Sequence, residues 1–231
     1  MNRCFYKFIL IIAFFTPVIF ARDQTQITPS KPTHYFYTPT ADVNPYNHLV
    51  LSLHEISFGL SQHLQVQASL FDNIGRINFG VKYGLTDDLA LGAGIAHSIA
   101  SFGHHGIKSG NPARFGAFLC YGITQTRTFE AAVTGHAQLF DHNSIGCDFG
   151  LMATPGPVWS IVGEVGTSID LTDGPAALWF NMDGGLRIHP TSIPFLNFDV
   201  GIDILEFKIN EPHAHTSVGI YVDVIFSMVV K

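Results

Sequence analysis

Charged residues are scarce in this chain of 231 amino acids, where Asp, Glu, Lys and Arg make up 13% against about 25% in an ordinary soluble domain. Mean hydropathy is positive, at +0.26, yet beyond the N-terminal stretch no apolar run is long enough for a membrane-spanning helix. Basic clusters are also missing and the formal net charge is −6, so we expect no nucleic-acid partner. The apolar residues must therefore be distributed in a repeating pattern.

Cysteine is rare as well, with three residues in the whole chain. Cys4 lies in the N-terminal stretch, whereas Cys120 and Cys147 fall on opposite phases of the alternation described below. Because residues of opposite phase point to opposite faces of a sheet, we predict no disulfide between these two.

The N-terminal stretch predicts export. Arg3 and Lys7 precede an apolar run over 8–20, and Ala21 is followed by polar residues. A basic start, a short apolar run and a small residue before the cut are typical of a secretory signal peptide, here residues 1–21. An uncleaved membrane anchor is the alternative, although the run is short for a span.

Two further regions follow. Residues 22–47 are polar and contain several prolines; we predict a periplasmic N-terminal segment, with a short first strand counted at 34–37. From 48 to 231 apolar residues recur at every second position, which indicates β-strands. One face of the stretch 129–139 carries Phe129, Ala131, Val133, Gly135, Ala137 and Leu139, and the other carries Glu130, Ala132, Thr134, His136 and Gln138.

Connections between these strands alternate in length. Tight turns are predicted at 59–64, 84–89 and 122–129, which all begin with Gly, an aliphatic residue and a hydroxyl residue. Longer connections are predicted at 101–111, 171–175 and 207–215. Short turns on one side and long loops on the other are typical of outer-membrane barrels. We predict an all-β fold: a closed antiparallel transmembrane β-barrel of about 12 strands in up-and-down meander order.

The alternative is a secreted soluble β-protein, because a soluble sandwich also alternates. Three features favour lipid contact: strands of ten or more residues, a polar face rich in small and acidic residues, and aromatic residues of the apolar phase beside the tight turns. Those aromatic residues are Phe58, Tyr83, Tyr121, Phe129 and Trp159.

The signal peptide, the alternating strands and turns such as Gly-Leu-Thr-Asp-Asp-Leu at 84–89 resemble the broad class of bacterial outer-membrane β-barrel proteins, without pointing to a subfamily. The resemblance covers 48–231. It implies a place in the outer membrane of a Gram-negative cell envelope, with outer-membrane lipid and the barrel-assembly machinery as partners. The polar phase of the strands, which would face inward, favours small solutes or ions as the cargo of a porin-like pore.

Charged residues on the polar phase are predicted to line the lumen. Acidic residues outnumber basic ones among them, so the leading hypothesis is a small, weakly cation-preferring pore. The alternative is a structural membrane protein whose barrel is filled by a closed network of salt bridges. The predicted lumen-lining residues are Arg76, Lys82, Arg114, Glu130, Asp148, Glu164, Asp183, Arg187, Asp199, Asp203 and Asp223.

Metal and catalytic sites have weaker support. Loop histidines are weak candidates for a metal site, but no cysteine or carboxylate spacing completes one, so no resident metal or cofactor is expected. The spacing of His215 and Ser217 resembles the His-x-Ser pair of outer-membrane lipid A deacylases, which makes a lipid-modifying enzyme the alternative function. Our leading prediction is that the protein is not an enzyme, and we assign no catalytic residue. The loop histidines are His104, His105, His213 and His215.

Overall fold

The structure is a computed structural model that describes residues 39–69, 76–98, 101–103, 106–108, 114–126, 128–139, 143–171, 177–209 and 217–230. All regular structure in these ranges is β-strand. They contain no helix that is long and apolar enough to cross a bilayer. The signal peptide, the strand counted at 34–37 and the four loop histidines lie outside the described residues.

Twelve strands form one closed barrel in which every pair of neighbours is antiparallel. The predicted fold class is therefore confirmed. The strands are β1 (His48–Leu51), β2 (Glu55–Gly59), β3 (Leu64–Ser69), β4 (Arg76–Thr86), β5 (Leu89–Ser98), β8 (Arg114–Gln125), β9 (Phe129–Leu139), β10 (Ser144–Ala153), β11 (Trp159–Asp170), β12 (Ala177–Ile188), β13 (Leu196–Ile209) and β14 (Ser217–Val229).

A separate two-stranded hairpin lies within the connection predicted at 101–111. It consists of β6 (Ser101–Gly103) and β7 (Gly106–Lys108). The meander order of the barrel strands continues from β5 to β8 across it.

The ring closes through β1 and β14, which share four residue pairs from His48↔Val229 to Leu51↔Phe226. By contrast, β11 and β12 share twelve pairs. The first two strands are short because the chain turns back at Ser52. Its hydroxyl accepts hydrogen bonds from the backbone of Glu55 at 2.8 Å and of His54 at 3.0 Å.

The tight turns at the other end of the strands are also closed by hydroxyl groups. Ser61 accepts from the backbone N–H of His63 at 3.2 Å, and Thr86 accepts from that of Asp88 at 3.3 Å. Such local bonds are why Ser and Thr favour turns over continued strand. These bonds explain why a hydroxyl residue recurs in the first two turn motifs. We call the end of the barrel that carries these turns the tight-turn end.

The two faces of each strand differ as period two predicts. On β13, Phe198, Val200 and Ile202 are 37%, 43% and 57% exposed, whereas Asp199 is 1% exposed. Apolar side chains therefore cover the outside of the ring, which fits contact with hydrocarbon. The cysteines obey the same rule, with Cys120 buried and Cys147 exposed. Four large aromatic residues are exposed beside the tight turns: Tyr83, Tyr121, Phe129 and Trp159.

Candidate functional site

The inner face of the barrel is the candidate functional site. Seven of the predicted lumen residues are buried: Lys82, Glu130, Glu164, Asp183, Arg187, Asp199 and Asp223. Asp148 is half-buried and contacts a histidine. Arg76, Arg114 and Asp203 are placed by their strands alone, since their side chains lie outside the described part of the chain. That these groups line a path for solutes stays a prediction.

One ion pair fixes a layer of this inner face. Arg187 donates from Nε to Oδ1 of Asp199 at 2.8 Å and from Nη2 to Oδ2 at 2.7 Å. Asp223 lies opposite Asp199 on the next strand. It accepts hydrogen bonds from the backbone of Leu53 and Val224, both at 2.7 Å. The layer therefore holds two carboxylates and one guanidinium in tight contacts.

A second acidic layer lies four residues farther from the tight turn along β12. There the register places Glu164 opposite Asp183, and Asp183 opposite Asp203 on β13. Residues paired this way have Cβ atoms about 4.5–5.5 Å apart. Three acidic residues thus occupy paired positions on three neighbouring strands.

His136 and Asp148 form a third polar contact, with Nδ1 and Oδ2 2.9 Å apart. Both side chains lie over glycines of the adjoining strand. A Cβ added at Gly146 would stand 2.3 Å from the His136 ring, and one at Gly166 would stand 2.1 Å from Asp148 Oδ1. Inward glycines therefore leave the room that these larger polar side chains occupy.

Residues 39–44 also belong to the site, because they contact side chains of the inner wall. Thr40, Ala41 and Asn44 are buried. The backbone N–H of Asn44 donates to Gln65 Oε1 at 2.9 Å, and its Nδ2 donates to Ser57 Oγ at 2.8 Å. These bonds tie the segment to β2 and β3.

Farther along the same segment the partners are side chains of β4, β8 and β9. Lys82 Nζ donates to the carbonyl oxygen of Asp42 at 2.5 Å. The carbonyl oxygen of Pro39 accepts from Thr134 Oγ1 and from Cys120 Sγ, both at 3.2 Å. Lys82 is therefore engaged by the segment. Ala41 joins a small apolar cluster inside the barrel that includes Cys120, Ala132, Met152, Val162 and Tyr221.

The segment turns into the wall at Asn47, whose φ of 61° is the left-handed conformation that asparagine tolerates. Its N–H donates to the carbonyl oxygen of Gly59 at 2.9 Å, and its own carbonyl accepts from Val230 at 2.7 Å. These contacts join the start of β1 to β2 and to the end of β14. That 22–47 is a periplasmic segment stays a prediction; within its described part, residues 39–44 contact the barrel interior. The sequence signal that could have revealed this contact is the glycine at the start of each tight turn, because a glycine on the inner face leaves room for another segment.

Three side chains near the tight-turn end form a chain of hydrogen bonds from a hydroxyl through an imidazole to an amide. Ser160 Oγ lies 2.8 Å from His189 Nε2, and His189 Nδ1 lies 2.8 Å from Asn197 Oδ1. A nucleophile, a base and an orienting group share this order. However, Ser160 is fully buried and also lies 2.8 Å from Thr154 Oγ1. We assign the chain a structural role, because it links β11 with the connection between β12 and β13.

The remaining predictions concern a metal site and a catalytic site. Within the described ranges no group of three or more His, Cys, Asp or Glu residues is arranged to hold a metal ion. His215 and the side chain of Ser217 lie outside them, so the lipid A deacylase alternative stays a prediction.

No protein-family model matches the sequence, and no curated protein matches it. Solved structures match the fold. The NanC porin aligns with a TM-score of 0.52 at 12% identity, over 78% of this chain and 97% of the porin. An outer membrane channel from Pseudomonas putida F1 aligns with a TM-score of 0.51 at 12% identity, over 85% of this chain and 98% of that channel. The chain has the fold of bacterial outer-membrane β-barrels, the broad class predicted from its sequence.

Proposed function

We propose that this chain is a channel in the bacterial outer membrane that passes small solutes and favours cations. One observation carries the proposal: a single closed ring is apolar outside, and most of its described buried residues are polar or charged. Apolar side chains on the outside suit hydrocarbon, and ring closure pairs the strand edges that a bilayer would leave unsatisfied. The two solved structures of similar fold are named as a porin and an outer membrane channel, which supports the same function.

The inner charges support the preference for cations. Among the Asp, Glu, Lys and Arg residues that the structure describes as buried, five are acidic, namely Glu130, Glu164, Asp183, Asp199 and Asp223, and two are basic, namely Lys82 and Arg187. Both basic residues are engaged, Lys82 by a carbonyl oxygen and Arg187 by Asp199. We expect the neighbouring carboxylates at 164 and 183 to add negative charge to the wall of the bore, and a negative wall lowers the energy of a passing cation.

The acidic layer gives the test of this proposal. We expect Glu164→Gln combined with Asp183→Asn to reduce the ratio of cation to anion permeability by about twofold or more, because both changes keep side-chain size while removing charge. The measurement is the reversal potential across a planar bilayer under a KCl gradient.

The matched control is Asp87→Asn combined with Asp88→Asn, which removes two charges from an exposed tight turn. This control should leave the permeability ratio within error of the unmodified protein. Equal ratios in the acidic-layer variant and the unmodified protein would contradict cation selection by this wall. No current above background from correctly folded protein would contradict a channel and favour the structural alternative.

A further inference from the structure

Three glycines that begin the tight turns have a second role inside the barrel. Gly59, Gly84 and Gly122 each start one of the repeated turn motifs, and all three are buried on the inner face. Each lies against a residue of the N-terminal segment: Pro45 at Gly59, Val43 at Gly84 and Ala41 at Gly122. We call the three glycines the glycine lane and residues 39–45 the strap.

The fit between strap and lane is closest at Gly59. A Cβ built there would stand 2.0 Å from the carbonyl oxygen of Pro45 and 2.5 Å from that of Asn44. These are backbone atoms, so a methyl group would force the strap to move. At Gly84 the nearest strap atom is Val43 Cγ2, 3.3 Å from the built Cβ. A side chain at these positions would thus compete with the strap for space.

The strap crosses the wall instead of following one strand. Its contacts with the lane fall on every second residue, which is the period of extended chain. From Pro39 to Pro45 an extended chain spans about 20 Å at about 3.3 Å per residue. Its anchors run from β9 to β2, six consecutive strands of the ring that occupy about 24 Å of wall at about 4.8 Å per spacing. The strap therefore spans roughly half of the inner circumference.

Most of the anchors that hold the strap involve side chains of the wall. They are the hydrogen bonds of Gln65, Ser57, Lys82, Cys120 and Thr134 described above. The ladder between neighbouring barrel strands does not depend on them. Release of the strap would therefore widen the bore and leave the ring closed, because its pairing stays intact.

We propose that the strap is a removable occupant of the glycine lane that sets the size of the largest solute the channel passes. This inference rests on the channel function proposed above. A barrel of about this size encloses only a narrow bore. An extended peptide along half of its inner wall therefore takes up much of the opening at the tight-turn end.

Cys120 reports on the strap without any measurement of transport, since its thiol is buried against Pro39. In a Cys4→Ser/Cys147→Ser background we expect Asn44→Ala and Gly59→Ala each to speed its reaction with a small charged methanethiosulfonate about tenfold. The first change removes a strap anchor and the second fills the lane. Gly135→Ala is the matched control, because a Cβ there meets nothing within 4 Å.

The same variants, reconstituted in liposomes, should admit larger sugars in a swelling assay than the unmodified protein does. Heat-dependent gel migration verifies that each variant forms its barrel. Reaction rates equal to the Gly135→Ala control overturn the inference, as does faster reaction with an unchanged size limit. Faster reaction while no form of the protein passes any sugar or ion overturns the proposed channel function instead.

A reversible lock tests the inference from the opposite direction. The Cβ of Ala41 lies 3.4 Å from a Cβ built at Gly122, close to the roughly 3.5–4.5 Å found across a disulfide. With Cys120 and Cys147 replaced by Ser, an Ala41→Cys/Gly122→Cys disulfide in the Asn44→Ala variant should restore the smaller size limit. Dithiothreitol should raise the limit again, and a size limit indifferent to oxidation overturns the inference.

Discussion

Individual residues of the inner wall differ in how firmly the barrel holds them. Arg187 and Asp199 share two short hydrogen bonds out of contact with solvent, whereas His136 and Asp148 share one and keep partial exposure. Period two predicted that these residues face inward, but it did not predict who pairs with whom. Pairing depends on strand register, and β12 and β13 carry an irregularity between Phe180 and Met182 that a pattern of alternate residues does not reveal.

The buried ion pair gives a prediction at this scale. Arg187→Met leaves Asp199 buried without its guanidinium, so we expect the free energy of unfolding to fall by about 3–5 kcal/mol. Replacing both partners with apolar residues, as Arg187→Met/Asp199→Leu, should recover most of that loss because no uncompensated charge remains. Urea unfolding in lipid vesicles measures both variants. A double variant less stable than Arg187→Met alone would contradict the ion-pair explanation.

Strands and turns are the scale at which the sequence is most informative. Residue alternation predicted most of the long strands, and the Gly-aliphatic-hydroxyl motifs predicted their tight turns. The hairpin of β1 and β2 was harder to predict because its turn has no glycine or proline and relies on the hydroxyl of Ser52. The prediction of about twelve strands counted 34–37 as a strand. The twelve barrel strands of the structure include two short strands within 48–59.

Depth in the bilayer supplies a prediction for the strands. Ile202 lies in the middle of β13 and Ile188 at the tight-turn end of β12, and both are exposed on the outside. We expect Ile202→Arg to cost about 2–4 kcal/mol of folding free energy and Ile188→Arg about 0–1 kcal/mol, because charge is most unfavourable near the bilayer midplane. Refolding into vesicles of defined lipid measures both. Two equally small costs would indicate a water-facing surface and favour the secreted soluble alternative.

Across the whole molecule, the number of residue pairs between neighbouring strands varies around the ring. Four residue pairs close it between β1 and β14, while β11 and β12 share twelve. The closed meander itself follows from alternating loop lengths and an even strand number, so it was predictable. The lumen was predictable only in its composition. Contacts between 39–47 and the wall join residues far apart in sequence, such as Pro39 with Thr134, and local patterns carry no information about them.

This unevenness predicts where the ring opens first. Hydrogen exchange monitored by mass spectrometry should show amides of β1 and β2 exchanging faster than those of β11 and β12, because local opening there breaks fewer ladder bonds. Detergent-solubilised protein and protein in vesicles should rank the strands in the same order. Uniform protection around the ring would contradict a weak closure at β1 and β14.

The shortness of strands β1 and β2 has a consequence for the surrounding lipid. A tilted strand needs about 9–11 residues to cross the hydrocarbon, and β1 and β2 have four and five before the chain reverses at 52–54. The hydrophobic surface of this hairpin is therefore shorter than the thickness of the hydrocarbon core beside it. We expect the leaflets to draw together locally on that side, since a bilayer adapts to mismatch by thinning. The bilayer around this barrel would then be uneven in thickness and thinnest beside β1 and β2.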